Sequence, residues 1–92
     1  ANAPGNALVI DTLGWALFNN GQTDRALQSL RDARLRQPAN PDIRYHLAAV
    51  LAHSGRNNEA IEEVSAALAP GAGKFESLSE AAALLQKLRK SK

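Results

Sequence analysis

The sequence predicts an all-α fold: two antiparallel helix pairs followed by a C-terminal capping helix, wound as an α-α superhelix. Three observations carry this expectation. The chain matches itself when shifted by 34 residues. Apolar residues recur at three- and four-residue spacing within each stretch, the period of a helix buried along one face. Glycine, asparagine and proline interrupt the stretches at corresponding points, where a helix must stop.

The shift pairs Leu13 with Leu47, Leu17 with Leu51, Gly21 with Gly55, Ala26 with Ala60 and Ala33 with Ala67. Val9 with Ile43, Leu27 with Ile61 and Leu30 with Val64 are close substitutions between them. The first helix is expected from Ala7 to Asn20, with Ile10, Leu13, Gly14 and Leu17 on its apolar face. Asn19-Asn20-Gly21 ends it, since Gly or Asn suits the left-handed position after a helix. Thr23 or Asp24 is expected to cap the second helix. That helix carries Ala26, Leu27, Leu30 and Ala33 and ends near Gln37-Pro38, because the residue before proline is pushed out of helical geometry.

Asn40-Pro41 restarts the pattern, with Asn as N-cap and Pro at the first helical position. Ile43, Leu47, Val50 and Leu51 form the third helix's buried stripe, and Ser54-Gly55 closes it. Asn57 or Asn58 is expected to cap the fourth, which runs through Ala60, Ile61, Val64, Ala67 and Leu68 to the stop at Pro70-Gly71-Ala72-Gly73. Ser77-Leu78-Ser79-Glu80 fits a capping box for the fifth, with Ala81, Leu84, Leu85 and Leu88 on its apolar face and Phe75 stapling its start to the core. Small residues at Gly14, Ala26, Ala33, Ala48, Ala60 and Ala67 suit close helix approach. The chain thus divides into a leading linker (1–6), a first unit (7–40), a second unit with its loop (41–74) and a capping helix with a basic tail (75–92).

Composition narrows the function classes. Hydrophobic residues make up 45 % of 92 residues, which places the chain among globular domains. The net charge of +2 arises from the tail, where Lys87, Arg89, Lys90 and Lys92 lie together; the remainder holds seven basic and nine acidic residues. A nucleic-acid binder is expected to carry a basic stripe along its folded body, so no nucleic-acid partner is expected. With no cysteine, disulfide and thiolate chemistry are absent. No apolar run is long enough to span a membrane. The compartment stays open between cytoplasm and envelope. No nucleophile elbow, phosphate loop or zinc-ligand set occurs, so no enzymatic activity, cofactor or metal is expected. His46 and His53 lie roughly 10 Å apart along a helix, too far to share one ion, and Asp42 with His46 would supply only two ligands.

Leu13-Gly14, Gly21, Ala26, Ala33 and Pro38, repeated as Leu47-Ala48, Gly55, Ala60 and Ala67, resemble the tetratricopeptide repeat. The likeness covers Ala7 to about Ala69. It departs where Ile10 and Arg44 replace the family's first-helix aromatic, and where the second unit reaches Pro70 early. The phrases Asp11-Thr12-Leu13-Gly14-Trp15-Ala16-Leu17 and Asn40-Pro41-Asp42-Ile43-Arg44-Tyr45-His46-Leu47-Ala48 are similar to the C-terminal ends of long bacterial tetratricopeptide proteins, including those accompanying exosortase (PEP-CTERM) surface-sorting systems.

The resemblance implies a scaffold that binds a protein or peptide on the concave side lined by the first helix of each pair. The positions it assigns to that groove are Leu8, Asp11, Thr12, Trp15, Phe18 and Asn19, then Asp42, Tyr45, His46, Ala49 and His53. These include the only Trp and the only Tyr. Trp15 either belongs to the binding wall or packs against a further repeat on its N-terminal side; the sequence leaves both open. The Lys, Asn and Arg positions with which one subfamily clamps a C-terminal carboxylate hold Asp11, Trp15 and His46, so no such clamp is expected. Self-association through Leu8, Trp15 and Phe18 is the alternative role, together with service as the structural end of a longer array.

Overall fold

The computed structural model describes residues 6–71 and 73–90. The linker expected at 1–5, Ala72 of the predicted stop and the tail positions 91–92 lie outside the described residues. Five helices follow one another: α1 (Ala7–Asn19), α2 (Thr23–Arg36), α3 (Pro41–His53), α4 (Asn57–Ala67) and α5 (Leu78–Lys90). Among the described residues no strand occurs, and the fold is all-α. Each helix packs on the next, with lighter contacts from α1 to α3 and from α3 to α5. This alternation puts α1, α3 and α5 side by side in one layer, with α2 and α4 in the other.

The two units are built from the same local devices. Asn6 caps α1 by accepting from the Leu8 and Val9 N–H groups, and Asn40 caps α3 by accepting from Asp42 and Ile43. Each satisfies orphan donors at a helix start. At the other end, Gly21 and Gly55 adopt φ of 82° and 81°. The Gln22 N–H reaches back to the Leu17 carbonyl and the Arg56 N–H to Leu51, both at 2.9 Å. With Gly21 to Phe18 and Gly55 to Ala52, these are two copies of a Schellman turn.

That turn explains where two expected caps fail. Gln22 and Arg56, rather than Thr23 or Asp24 and Asn57 or Asn58, occupy the N-cap positions of α2 and α4, with no side-chain cap bond. The helix begins directly after the Schellman turn, so Thr23 and Asn57 already lie inside it. Asp24 and Glu59 in the first turns favour the helix N-terminal dipole instead. The expected capping box on α5 is also replaced: the Ser77 N–H, which Glu80 would take, donates to Asp42 Oδ1 at 2.9 Å. Asn20 and Leu68, expected as helical, are the C-caps of α1 and α4.

The core lies between the layers. Leu30, Leu47, Val50, Leu51 and Val64 are fully or almost fully buried, among Ala26, Ala48 and Ala60. Ala33 and Ile43 form a second buried cluster with Ala7, and Ala67 is buried too. Phe75, Leu84 and Leu85 pack on the main cluster from the α5 side. On the outer layer, Arg31 pairs with Glu59 at 3.1 Å and Arg34 with Glu63 at 3.4 Å, tying α2 to α4, while Arg44 reaches Glu63 at 2.9 Å from α3. The guanidinium of Arg31 donates to Glu59 and holds its carboxyl below the usual carboxylate range.

One expected core residue stands outside. Leu13, paired by the repeat with fully buried Leu47, is 53 % exposed, and Val9, paired with buried Ile43, is 60 % exposed. The reason is position. Leu47 and Ile43 lie on α3, which has α2 packed before it and α4 after it. α1 has α2 and the edge of α3, so among the described residues its outer face meets no helix.

Candidate groove on the inner helix layer

The inner layer of α1, α3 and α5 carries the residues expected to meet a partner. Trp15 on α1 stacks on His46 of α3, with ring centroids 4.3 Å apart and planes at 28°. Tyr45 lies 6.1 Å from Trp15 and 5.7 Å from His46. Phe18, one turn beyond Trp15, sits 5.4 Å from it and meets His53 edge-on at 5.3 Å. Such pairs contribute about 0.5–1.5 kcal/mol beyond the area they bury. Trp15 is half-buried. Its ring neighbours Tyr45 and His46 place the indole against the second unit of its own chain.

Asp11 anchors this cluster. It is 8 % exposed, and its Oδ1 lies 2.8 Å from His46 Nδ1. A carboxylate only accepts hydrogen bonds, so His46 Nδ1 is the donor to Asp11 and the ring is held in one orientation. The bond joins α1 to α3 across 35 residues and fixes the ring against which Trp15 stacks. Removing either partner would leave the other's polar atom half-satisfied in a shielded place.

The inner face divides into two stretches. One is a depression of about 400 Å³ between Leu8, Asp11 and Trp15 of α1, Asp42 and His46 of α3, and Glu76, Ser77 and Glu80 at the start of α5. The other, about 340 Å³, lies between Phe18 of α1, Ala49 and His53 of α3, and Leu84, Lys87 and Leu88 of α5. Tyr45 sits between α1 and α5. Burial, and then the nearby Glu80 carboxylate, push its phenol above the usual value.

The expected groove residues thus fall into two groups. Leu8, Asp11, Trp15, Phe18, Asp42, Tyr45, His46, Ala49 and His53 come together on the inner face. Thr12 and Asn19 do not line either stretch. Both are exposed and bond back to their own helix, Thr12 Oγ1 to the Leu8 carbonyl at 2.9 Å and Asn19 Nδ2 to the Trp15 carbonyl at 3.0 Å. The α5 contribution of Glu76, Ser77, Glu80 and Leu84 was not expected from sequence. The signal was present: α5 holds the place of a third first-helix, and the 34-residue shift sets Glu76 and Glu80 on Asp42 and His46.

Asp11 and His46 are paired and Ser77 lines the same depression, with no hydrogen bond from His46 to the Ser77 hydroxyl among the described residues. Asp42 and His46 are each engaged elsewhere, by the Ser77 N–H and by Asp11. Among the described residues no group of three or more His, Cys, Asp or Glu is placed to hold a metal ion. No helix of the described residues is long and apolar enough to cross a membrane.

Comparison with known families adds one match. A family model described as tetratricopeptide repeat matches residues 12–75, well over half of the chain. No curated protein matches it significantly.

Proposed function

The chain belongs to the tetratricopeptide repeat family, whose members generally mediate protein–protein interactions, and from that premise we propose that it binds a protein or peptide segment along the inner face of α1, α3 and α5. The observation that carries this reading is the aromatic wall of Trp15, Tyr45, His46 and Phe18 beside two open depressions. Aromatic side chains supply large contact area at small entropy cost and dominate binding hot spots. The wall is pre-organised by the Asp11–His46 bond, which lowers the ordering cost of association. Trp15, Phe18, Tyr45, His46, Ala49 and His53 are the contact residues, with Asp11 as a positioning residue behind them. The Asp11–Leu17 and Asn40–Ala48 phrases, by their likeness to bacterial sequences, extend the reading to a scaffold in envelope assembly.

A second reading, self-association, has its own observation. Val9 and Leu13 are more than half exposed on the outer face of α1, where Leu13, Ala16 and Leu17 line a shallow depression. Exposed apolar patches seek cover. This face differs from the Leu8, Trp15 and Phe18 surface that the sequence suggests for the same role.

One experiment separates the two. A photo-reactive phenylalanine analogue is placed in turn at His53 on the inner face, at Leu13 on the outer face of α1, and at Leu35, which is 71 % exposed on α2. Irradiation in extract of cells that make the protein should yield a product with another protein from His53 and none from Leu35. A product with a second copy of the chain from Leu13 alone would support self-association. Products from Leu35 with His53 silent would contradict both readings.

A further inference from the structure

Within the proposed groove, the depression at the N-terminal end of α5 has a charge that selects its occupant. Asp11, Asp42, Glu76 and Glu80 all line it, and no lysine or arginine does. The N-termini of α1, α3 and α5 belong to the same end of the inner layer, and each carries about half a positive charge. Four carboxylates against three half-charges leave the depression negative by about two and a half charges, and by about one and a half if His46 is also charged.

Two of the carboxylates are already committed: Asp11 Oδ1 to His46, and Asp42 Oδ1 to the Ser77 N–H. Glu76 and Glu80 are exposed and form no ion pair among the described residues. Arg31, Arg34, Arg36, Arg44 and Arg56, by contrast, are all paired elsewhere. The Glu80 charge is felt at the Tyr45 phenol, which it helps to hold above its ordinary value. The indole of Trp15 supplies one wall of the depression. An aromatic face beside carboxylates is a favourable setting for a cation, and a guanidinium especially, because it stacks on the ring while its N–H groups reach the acids.

We propose that this acidic, Trp15-walled depression receives an arginine or lysine side chain of the bound segment, so that the partner is a basic peptide rather than an acidic or purely apolar one. The assignment rests on the inner face being the binding face, and it adds the partner's charge. Binding therefore weakens with salt, because exposed charges are screened.

The probes are four sets of immobilised octapeptides, acetylated and amidated at their ends. Each has one central residue fixed as Arg, Lys, Gln or Glu and the rest randomised. Retention of the labelled domain is measured on each set, and the best peptides are then titrated in solution against the fluorescence of Trp15, the only tryptophan. The Arg and Lys sets should retain the domain above the Gln set, and the Glu set below it. The preference should fade at 0.5 M salt. A Glu76→Gln/Glu80→Gln variant, altered only at exposed side chains and checked for unchanged helicity, should bind the best Arg peptide roughly five- to ten-fold more weakly. A Glu62→Gln control, outside the depression, should bind it unchanged. Equal or greater retention by the Glu or Gln set, with a response at Trp15, would overturn the charge assignment while leaving the inner face as the binding face. An Arg preference insensitive to the double variant would also overturn it. No binding by any set would remove both. Light scattering of the free domain run alongside gives the remaining occupant: a dimer abolished by the double variant would assign the depression to the basic last turn of a second copy, and the peptide assignment would fall.

Discussion

Leu47→Ala should destabilise the domain by about 3 kcal/mol, while Leu13→Ala, at the equivalent position of the first unit, should cost less than about 1 kcal/mol. The two residues have the same side chain and lie 34 residues apart. Leu47 is fully buried between α2 and α4, so truncation removes a methyl-rich contact and leaves a cavity; Leu13 is 53 % exposed, and its truncated side chain leaves a space that water fills. Urea unfolding with unchanged m-values measures both differences. Equal losses would mean that the outer face of α1 is covered in solution, and would shift weight to self-association.

Gly14→Val should cost about 3 kcal/mol, although valine is the better helix former. α1 and α2 approach closely at this point. A Cβ added at Gly14 would lie 2.7 Å from Leu30 Cγ, 3.0 Å from its Cδ2 and 3.2 Å from Ser29 Cβ. Leu30 is fully buried and sits in the centre of the core. It cannot swing away without displacing Leu47 and its neighbours, so the strain spreads through packed side chains. Gly14→Ala should show the same sign with a smaller loss, since about 1 kcal/mol of improved helix propensity offsets part of the clash. Thermal unfolding followed by circular dichroism reads both. A stabilised Gly14→Ala variant would show that the two helices are further apart than described.

Much of this architecture is legible in the sequence because the repeat encodes it twice. Leu30 with Val64 and Ala26 with Ala60 announce buried faces through spacing and size alone, and Asn40-Pro41 announces a helix start through the chemistry of its side chain and ring. What escaped depends on neighbours rather than on residue type. Leu13 and Leu47 read alike, and only the packing of the third dimension separates the edge helix from the central one. Thr23 and Asn57 read as caps, yet the Schellman turns at Gly21 and Gly55 start each following helix one residue earlier. Ser77 and Glu80 read as a local capping box, whereas Asp42, 35 residues away, takes the Ser77 N–H.

The candidate groove shows the same division. Trp15, Tyr45 and His46 could be placed together because first-helix positions recur at the repeat spacing. The Asp11–His46 bond and the stack of Trp15 on His46 needed coordinates, since a shared face does not give a distance. The acidic lining from α5 was hidden for a plainer reason: Glu76 reads as part of the entry segment after the Pro70–Gly73 loop and Glu80 as the far end of a capping box, although the 34-residue shift sets them on the groove positions Asp42 and His46.

The central claim is that partners are held on the inner face of α1, α3 and α5. Amide chemical-shift mapping tests it most directly, using a uniformly labelled domain titrated with the best peptide from the fixed-residue sets. The account predicts that the perturbed amides cluster at Trp15, Phe18, Tyr45, His46, Ala49 and Glu80, with Arg25 and Leu35 on α2 unmoved. Perturbations gathered instead at Val9, Leu13 and Ala16, or along α2 and α4, would contradict it.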